Sequence, residues 1–216
     1  MQILAHRGYW NTDIQSNSQE ALLEALKMGY GFESDIRDYT EKLVISHNIA
    51  TKESFDADTV FKALQAYENQ YCFAINVKAD GLIQLLKAGL EKYGITNYFA
   101  FDMSVPQMIE YRAAGITYFT RQSEYEMLPV LYEDAAGVWI DAFEDETWIN
   151  ETLIQKHLEN GKKVCIVSPD LHQRSYIDMW KLLKNINCME RESIMLCTDY
   201  PDHARDFFYG KGSQNA

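Results

Sequence analysis

Short apolar runs rich in β-branched and aromatic residues alternate with amphipathic stretches of helical period along this chain, and few folds accommodate that rhythm. The strand-like runs are Gln2–His6, Gly31–Arg37, Leu43–His47, Cys72–Lys78, Tyr98–Asp102, Thr117–Arg121, Gly137–Ala142, Lys163–Ser168 and Ile194–Thr198. The helical patterns are Ser18–Met28, Asp58–Glu68, Gly81–Tyr93, Pro106–Ala114, Asn150–Glu159 and Ser175–Lys184. Gly29, Gly94, Gly115 and Gly161 stand where helices would stop in a left-handed turn. About eight strand–helix units without a linker predict an α/β protein, a (β/α)8 TIM barrel. Two successive strands within residues 31–47, with no helix between them, predict a short strand extension after strand 2. The 216 residues fit one domain, 1–216. That is a little short for a barrel, so trimmed helices are expected. The competing arrangement is an open doubly wound sheet, but no Gly-rich phosphate loop follows strand 1. The polar tail Lys211–Ala216 is expected to fray.

Acidic residues outnumber basic ones by 32 to 20, for a formal charge of −12. That balance excludes a nucleic-acid binder working through a basic surface, and adsorption to anionic lipid. Cys72, Cys165, Cys188 and Cys197 show no CxxC spacing, which leaves no zinc or redox motif. Cys72, Cys165 and Cys197 sit inside apolar runs and read as buried, reduced core residues. No charged and apolar leader separates Met1 from His6, and no apolar run reaches membrane-span length. The expectation is a cytoplasmic protein with no membrane insertion; its oligomeric state stays open.

In a barrel the active site lies at the carboxyl ends of the strands. The polar residues there are His6, Arg7, Glu33, Asp35, His47, Asn76, Lys78, Asp102, Arg121, Asp141, Ser168 and Asp199. Glu33 and Asp35 alternate on one strand, share a face, and supply hard oxygens for Mg²⁺ or Ca²⁺. A solvated strand edge, or a salt bridge from this pair to Arg37, is the alternative. His6 and His47 suit paired general acid and base work, and Arg7 and Lys78 suit neutralising phosphate oxygens. Arg121 is a further candidate anion contact, and Trp10, Trp139 and Tyr200 could shape an alcohol pocket. His157 and His203 read as surface residues, while His172 lies in a loop near the active face with its role open.

These segments together resemble the glycerophosphodiester phosphodiesterase family. The resemblance runs through His6-Arg7-Gly8, Asn17-Ser18 ahead of Glu20-Ala21, Glu33-x-Asp35, Thr40 before His47, Asn76-Val77-Lys78 and Thr198-Asp199-Tyr200-Pro201. It implies a barrel, related to the phosphatidylinositol-phospholipase-C-like phosphodiesterases and similar to sphingomyelinase D toxins. Such a barrel cleaves a small phosphodiester substrate with one divalent cation, Mg²⁺ or Ca²⁺, with Mn²⁺ also admissible. It also implies His6 and His47 as acid and base, Arg7 as a phosphate contact, and Glu33, Asp35 and residue 76 as metal ligands. Attack by a neighbouring substrate hydroxyl would give a cyclic phosphate. The chain departs from the family in carrying Asn76 and Asn48 where carboxylates are usual, and Gln15-Ser16 where Pro-Glu is usual. Asn76 implies weaker metal affinity or compensation by Asp102 or Asp141. Asn76 and Asn48 motivate a second outcome, a barrel that binds a phosphorylated metabolite without cleaving it; a third is a lyase-like enzyme that stops at the cyclic phosphate.

Overall fold

The computed structural model describes residues 1–186 and 191–210. Cys188 and the Lys211–Ala216 tail lie outside the described residues. Contacts divide the chain into two compact units, one of Ala5–Tyr118 and one joining Met1–Leu4 to the chain from Phe119 onward. The first strand, β1 (Gln2–His6), contributes to both.

In the Ala5–Tyr118 unit, β1 is followed by α1 (Gln19–Lys27), β2 (Gly31–Tyr39), β3 (Lys42–Ile45), β4 (Phe55–Asp56) and α2 (Asp58–Ala66). Then come β5 (Phe73–Val77), α3 (Ile83–Tyr93), β6 (Tyr98–Phe101) and α4 (Val105–Ala113). α1 starts where the Ser18 hydroxyl accepts the Ala21 amide at 3.1 Å, a cap contributing about 1 kcal/mol. Its Ala21, Leu22, Ala25 and Leu26 are buried, as their helical spacing predicts. β2 is long because its two halves pair with different strands on one side. Phe32–Ile36 run parallel to β5, and Ile36–Tyr39 run antiparallel to β3. The expected extension after strand 2 is therefore present, with β4 as a further rung on β3. β5 pairs in parallel with β6.

The second unit holds β7 (Phe119–Gln122), β8 (Gly137–Ile140), α5 (Glu151–Glu159), β9 (Lys163–Val167), α6 (Ile177–Asn185), β10 (Ile194–Thr198) and α7 (Pro201–Tyr209). β7, β8, β9 and β10 pair in chain order, all parallel. Their bodies are almost wholly buried, which suits parallel strands covered on both faces. The chain economises on helix, as its length requires. Every α-helix among the described residues spans nine residues except the eleven-residue α3, and only a turn at Tyr132–Asp134 joins β7 to β8. No helix among the described residues is long and apolar enough to cross a membrane. Cys72, Cys165 and Cys197 are buried and form no disulfide among the described residues, as expected.

His157 departs from expectation. It lies in the last turn of α5 but is buried, with Nε2 at 2.8 Å from Gln122 Oε1 and Nδ1 at 2.9 Å from the Tyr132 hydroxyl. The Gln122 amide directs its own Nε2 to the Met127 carbonyl at 2.9 Å. Its Oε1 must then accept from His157 Nε2–H, and the Tyr132 hydroxyl donates to Nδ1. Burial pushes the imidazole down to about 4. A polar residue on a helix reads as surface until its partners, 25 and 35 residues away, are known. His203 is exposed, as expected.

Candidate active site

The segment after β1 turns sharply. Arg7 has φ 56° and Gly8 φ 86°, both left-handed. A Cβ at Gly8 would lie 2.6 Å from the Ala21 carbonyl carbon and 2.8 Å from the Leu22 nitrogen, so only glycine fits against α1. The Tyr9 amide bonds the Ala21 carbonyl at 2.8 Å and locks this approach. The turn aims His6 and Arg7 at β2. The Arg7 amide donates to Glu33 Oε2 at 3.3 Å, His6 Nε2 stands 3.8 Å from the same oxygen, and Arg7 Nε stands 3.6 Å from Asp35 Oδ2.

Glu33 and Asp35 are 2% and 0% exposed, so their charges need compensation within the protein. Arg7 and Lys78 supply it for Asp35, with Lys78 Nζ at 3.2 Å from Asp35 Oδ1. Burial pushes the Glu33 carboxyl above its usual range; His6 opposes this, Asp35 adds to it, and Lys78 and Arg7 oppose it. In the parallel register of β2 and β5, Asp35 is the partner of Asn76. Glu33, Asp35 and Asn76 therefore share one face of the sheet.

Asn76 Oδ1 is buried with no hydrogen-bond partner, and Asp35 Oδ1 meets Lys78 without forming a hydrogen bond. An unsatisfied buried oxygen costs about 1–3 kcal/mol, and a bound ion is one of the usual reasons for it. Two carboxylates and an orphan amide oxygen on one face are a donor set that fits a hard divalent cation. Among the described residues no three His, Cys, Asp or Glu side chains gather as a metal centre.

Arg7 and His47 line one cleft of about 480 Å³ in this unit, together with Asn17, Ser46, Asn48 and Thr51. His47 lies two residues past the end of β3 and is exposed, and its Nδ1 stands 3.2 Å from Asn48 Oδ1. Arg37 does not pair with Glu33 or Asp35; its guanidinium donates to the His47 carbonyl at 3.3 Å and 3.4 Å. Trp10 donates its indole N–H to the His6 carbonyl at 2.9 Å.

In the other unit the expected polar residues have partners of their own. Arg121 is 2.5 Å from Glu126, Asp141 is 2.7 Å from His172, and Ser168 accepts the Trp180 indole N–H at 2.9 Å. Asp141 is thus committed to His172, and Arg121 to a carboxylate five residues on. Trp139 is buried on β8, and Tyr200 is half exposed.

Asn17 is legible in the sequence only as part of the Asn17-Ser18 motif, with no role of its own. Ser18 takes the cap, which frees Asn17 to donate from Nδ2 to Asp35 Oδ2 at 3.0 Å.

No family model matches this chain, and no curated protein does. Its fold, however, is that of solved phosphodiesterases. A glycerophosphodiester phosphodiesterase from Parabacteroides distasonis ATCC 8503 superposes with a TM-score of 0.70 at 12% identity, over 98% of both chains. A glycerophosphoryl diester phosphodiesterase from the same organism gives 0.68 at 12% identity, over 95% of this chain and 85% of the other. A calcium-dependent phosphoinositol-specific phospholipase C from a Pseudomonas species gives 0.54 at 8% identity, over 99% and 91%. The expected class, an α/β protein of the (β/α)8 barrel type, is borne out by this likeness and by the strand–helix alternation with parallel pairing.

Proposed function

We propose that this chain is a divergent member of the glycerophosphodiester phosphodiesterase family. It would hydrolyse a small phosphodiester with one divalent cation bound by Glu33, Asp35 and Asn76. The observation that carries the reading is the Asn76 oxygen, buried and unpartnered, in register with an Asp35 held between Arg7 and Lys78. The fold likeness to two glycerophosphodiester phosphodiesterases and a calcium-dependent phospholipase C supports it. When bound, the cation supplies Lewis-acid polarisation of a phosphoryl oxygen. Everything else falls to the chain's own side chains.

Arg7 and Lys78 hold the phosphate and spread the charge that accumulates as the bond to the leaving oxygen breaks. His6 and His47 divide the proton work. One removes the proton of the attacking hydroxyl, and the other gives a proton to the departing alkoxide. The chemistry assigns these two roles to the pair without fixing which histidine takes which. Asn48 Oδ1, at 3.2 Å, can accept from His47 Nδ1–H and leave Nε2 with its lone pair. The polar cleft shared by Arg7 and His47 suits a small polar alcohol.

The test is phosphorus NMR of glycerophosphodiesters incubated with purified protein and Mg²⁺, Ca²⁺ or Mn²⁺. Release of a phosphomonoester, reduced at least ~100-fold in His6→Ala and in His47→Ala, is the expected result. Equal turnover in His6→Ala would remove the mechanism. A cyclic phosphate that accumulates would place the chain among cyclising lyases. Substrate recovered intact but bound would make it a phosphate-binding barrel, the reading that the neutral Asn76 and Asn48 favour.

A further inference from the structure

We infer that Asn17 is a positioning residue that couples the phosphate-binding arginine to the Asp35 carboxylate; this rests on the function proposed above. Asn17 sits in the left-handed region at φ 60°, a conformation costly for most side chains. Three hydrogen bonds hold it there. Its amide N–H donates to the Arg7 carbonyl at 2.8 Å, Nδ2 donates to Asp35 Oδ2 at 3.0 Å, and Oδ1 accepts from the buried Ser34 hydroxyl at 2.5 Å. An ionised Asp35 can only accept, so it fixes the Asn17 amide with nitrogen toward the carboxylate and oxygen toward Ser34.

The consequence is a division of labour on Asp35. Oδ2 is taken by Asn17 and stands 3.6 Å from Arg7 Nε, while Oδ1 is turned toward Lys78 and the Asn76 face. Without the Asn17 amide, Asp35 is free to rotate and to draw the Arg7 guanidinium into a full ion pair. Without the Asn17 backbone bond, the Arg7 turn loses its far anchor. One residue thus keeps Arg7 partly unspent for an incoming phosphate. The Ser34 hydroxyl acts one step further back, by holding the Asn17 amide in orientation.

The experiment is a double-mutant cycle on the full chain, read by calorimetric titration of inorganic phosphate and, separately, by kcat and KM on a glycerophosphodiester. Asn17→Gly keeps the left-handed backbone and its N–H but removes the amide. Asn17→Asp keeps the shape and sets an acceptor against Asp35. Each should weaken phosphate binding about tenfold, and Arg7→Ala should do no further damage in either background, since coupled residues are not additive. Unchanged phosphate affinity in both variants, or additive losses with Arg7→Ala, would overturn the coupling. A role in folding alone would lower the melting temperature and leave phosphate affinity at 25 °C intact, which also overturns it. Wild-type protein that binds phosphate with the expected coupling but cleaves no diester would refute the proposed reaction and leave the coupling standing. Wild-type turnover with both Asn17 variants equal to it would do the reverse. Wild-type protein that neither binds phosphate nor cleaves would overturn both.

Discussion

Replacing Gly8 with alanine tests whether the first turn carries both the fold and the site. The methyl group would stand 2.6 Å from the Ala21 carbonyl carbon, 2.7 Å from its oxygen and 2.8 Å from the Leu22 nitrogen. All three atoms belong to the backbone of α1, so no side chain can swing aside. Relief to an ordinary contact near 3.4 Å needs a shift of roughly 0.6–0.8 Å in the turn or the helix. The left-handed φ of 86° adds about 1 kcal/mol for any residue with a Cβ. Overpacking of this kind adds about 1–3 kcal/mol. Gly8→Ala should therefore destabilise by about 2–4 kcal/mol, which for a chain of this size lowers the melting temperature by roughly 4–16 °C. Gly94→Ala is the control, since its φ is 61° and nothing lies within 4 Å of its Cβ. That variant should lose only the conformational part, about 1 kcal/mol. Urea unfolding of both gives the difference directly. Equal losses in the two, or a loss under about 1 kcal/mol at Gly8, would show that the close approach of the turn to α1 is not what the glycine is for.

Acid should weaken the protein through His157. Its folded value of about 4 lies below the ordinary 6.5, so its contribution is complete above pH 6.5 and is lost as pH falls toward 4. The full shift corresponds to about 3 kcal/mol. Urea titrations across that window should show the loss in wild type and a flatter profile in His157→Gln. Asn76→Glu restores a third carboxylate beside Asp35 and should tighten Ca²⁺ or Mg²⁺ binding about tenfold or more in a calorimetric titration; unchanged affinity would displace Asn76 from the ligand set. Glu33→Ala should abolish saturable cation binding in the same assay, and retained binding would point to a site elsewhere. Ser168→Ala strands the indole N–H of the fully buried Trp180 and should cost about 1–3 kcal/mol in thermal or urea unfolding, against no change if water replaces the hydroxyl.

The strand–helix rhythm was readable because burial imposes it on composition. β1 and β10 have the bounds that their apolar runs predict, and the other expected strands differ by a few residues at their ends. The two-residue β4 could not be read, since a rung of two residues has no period. α7 was hidden for another reason. Its Pro201 belongs to a motif legible as a strand end, and its polar first turn masks the buried Pro201 and Ala204. Pairings between distant residues were out of reach in the same way. Nothing in Arg121 announces Glu126, and nothing in Asp141 announces His172. The alternation of Glu33 and Asp35 showed that they share a face; Asn76 joined them in the sequence only through the family resemblance, and the register of β2 against β5 gives that grouping its geometry.

That register has a consequence for how molecules of this protein are counted. Asp35 and Asn76 sit opposite each other only in the pairing that sets Phe32 against Phe73. A slip of one residue would turn Asn76 to the far side of the sheet while leaving the apolar strands free to pack. Such a misregistered chain would keep its secondary structure and pass a circular dichroism check, yet lack the Asn76 oxygen of the proposed cation site. On that proposal, titrated cation stoichiometry measures the fraction of molecules whose strands have paired correctly.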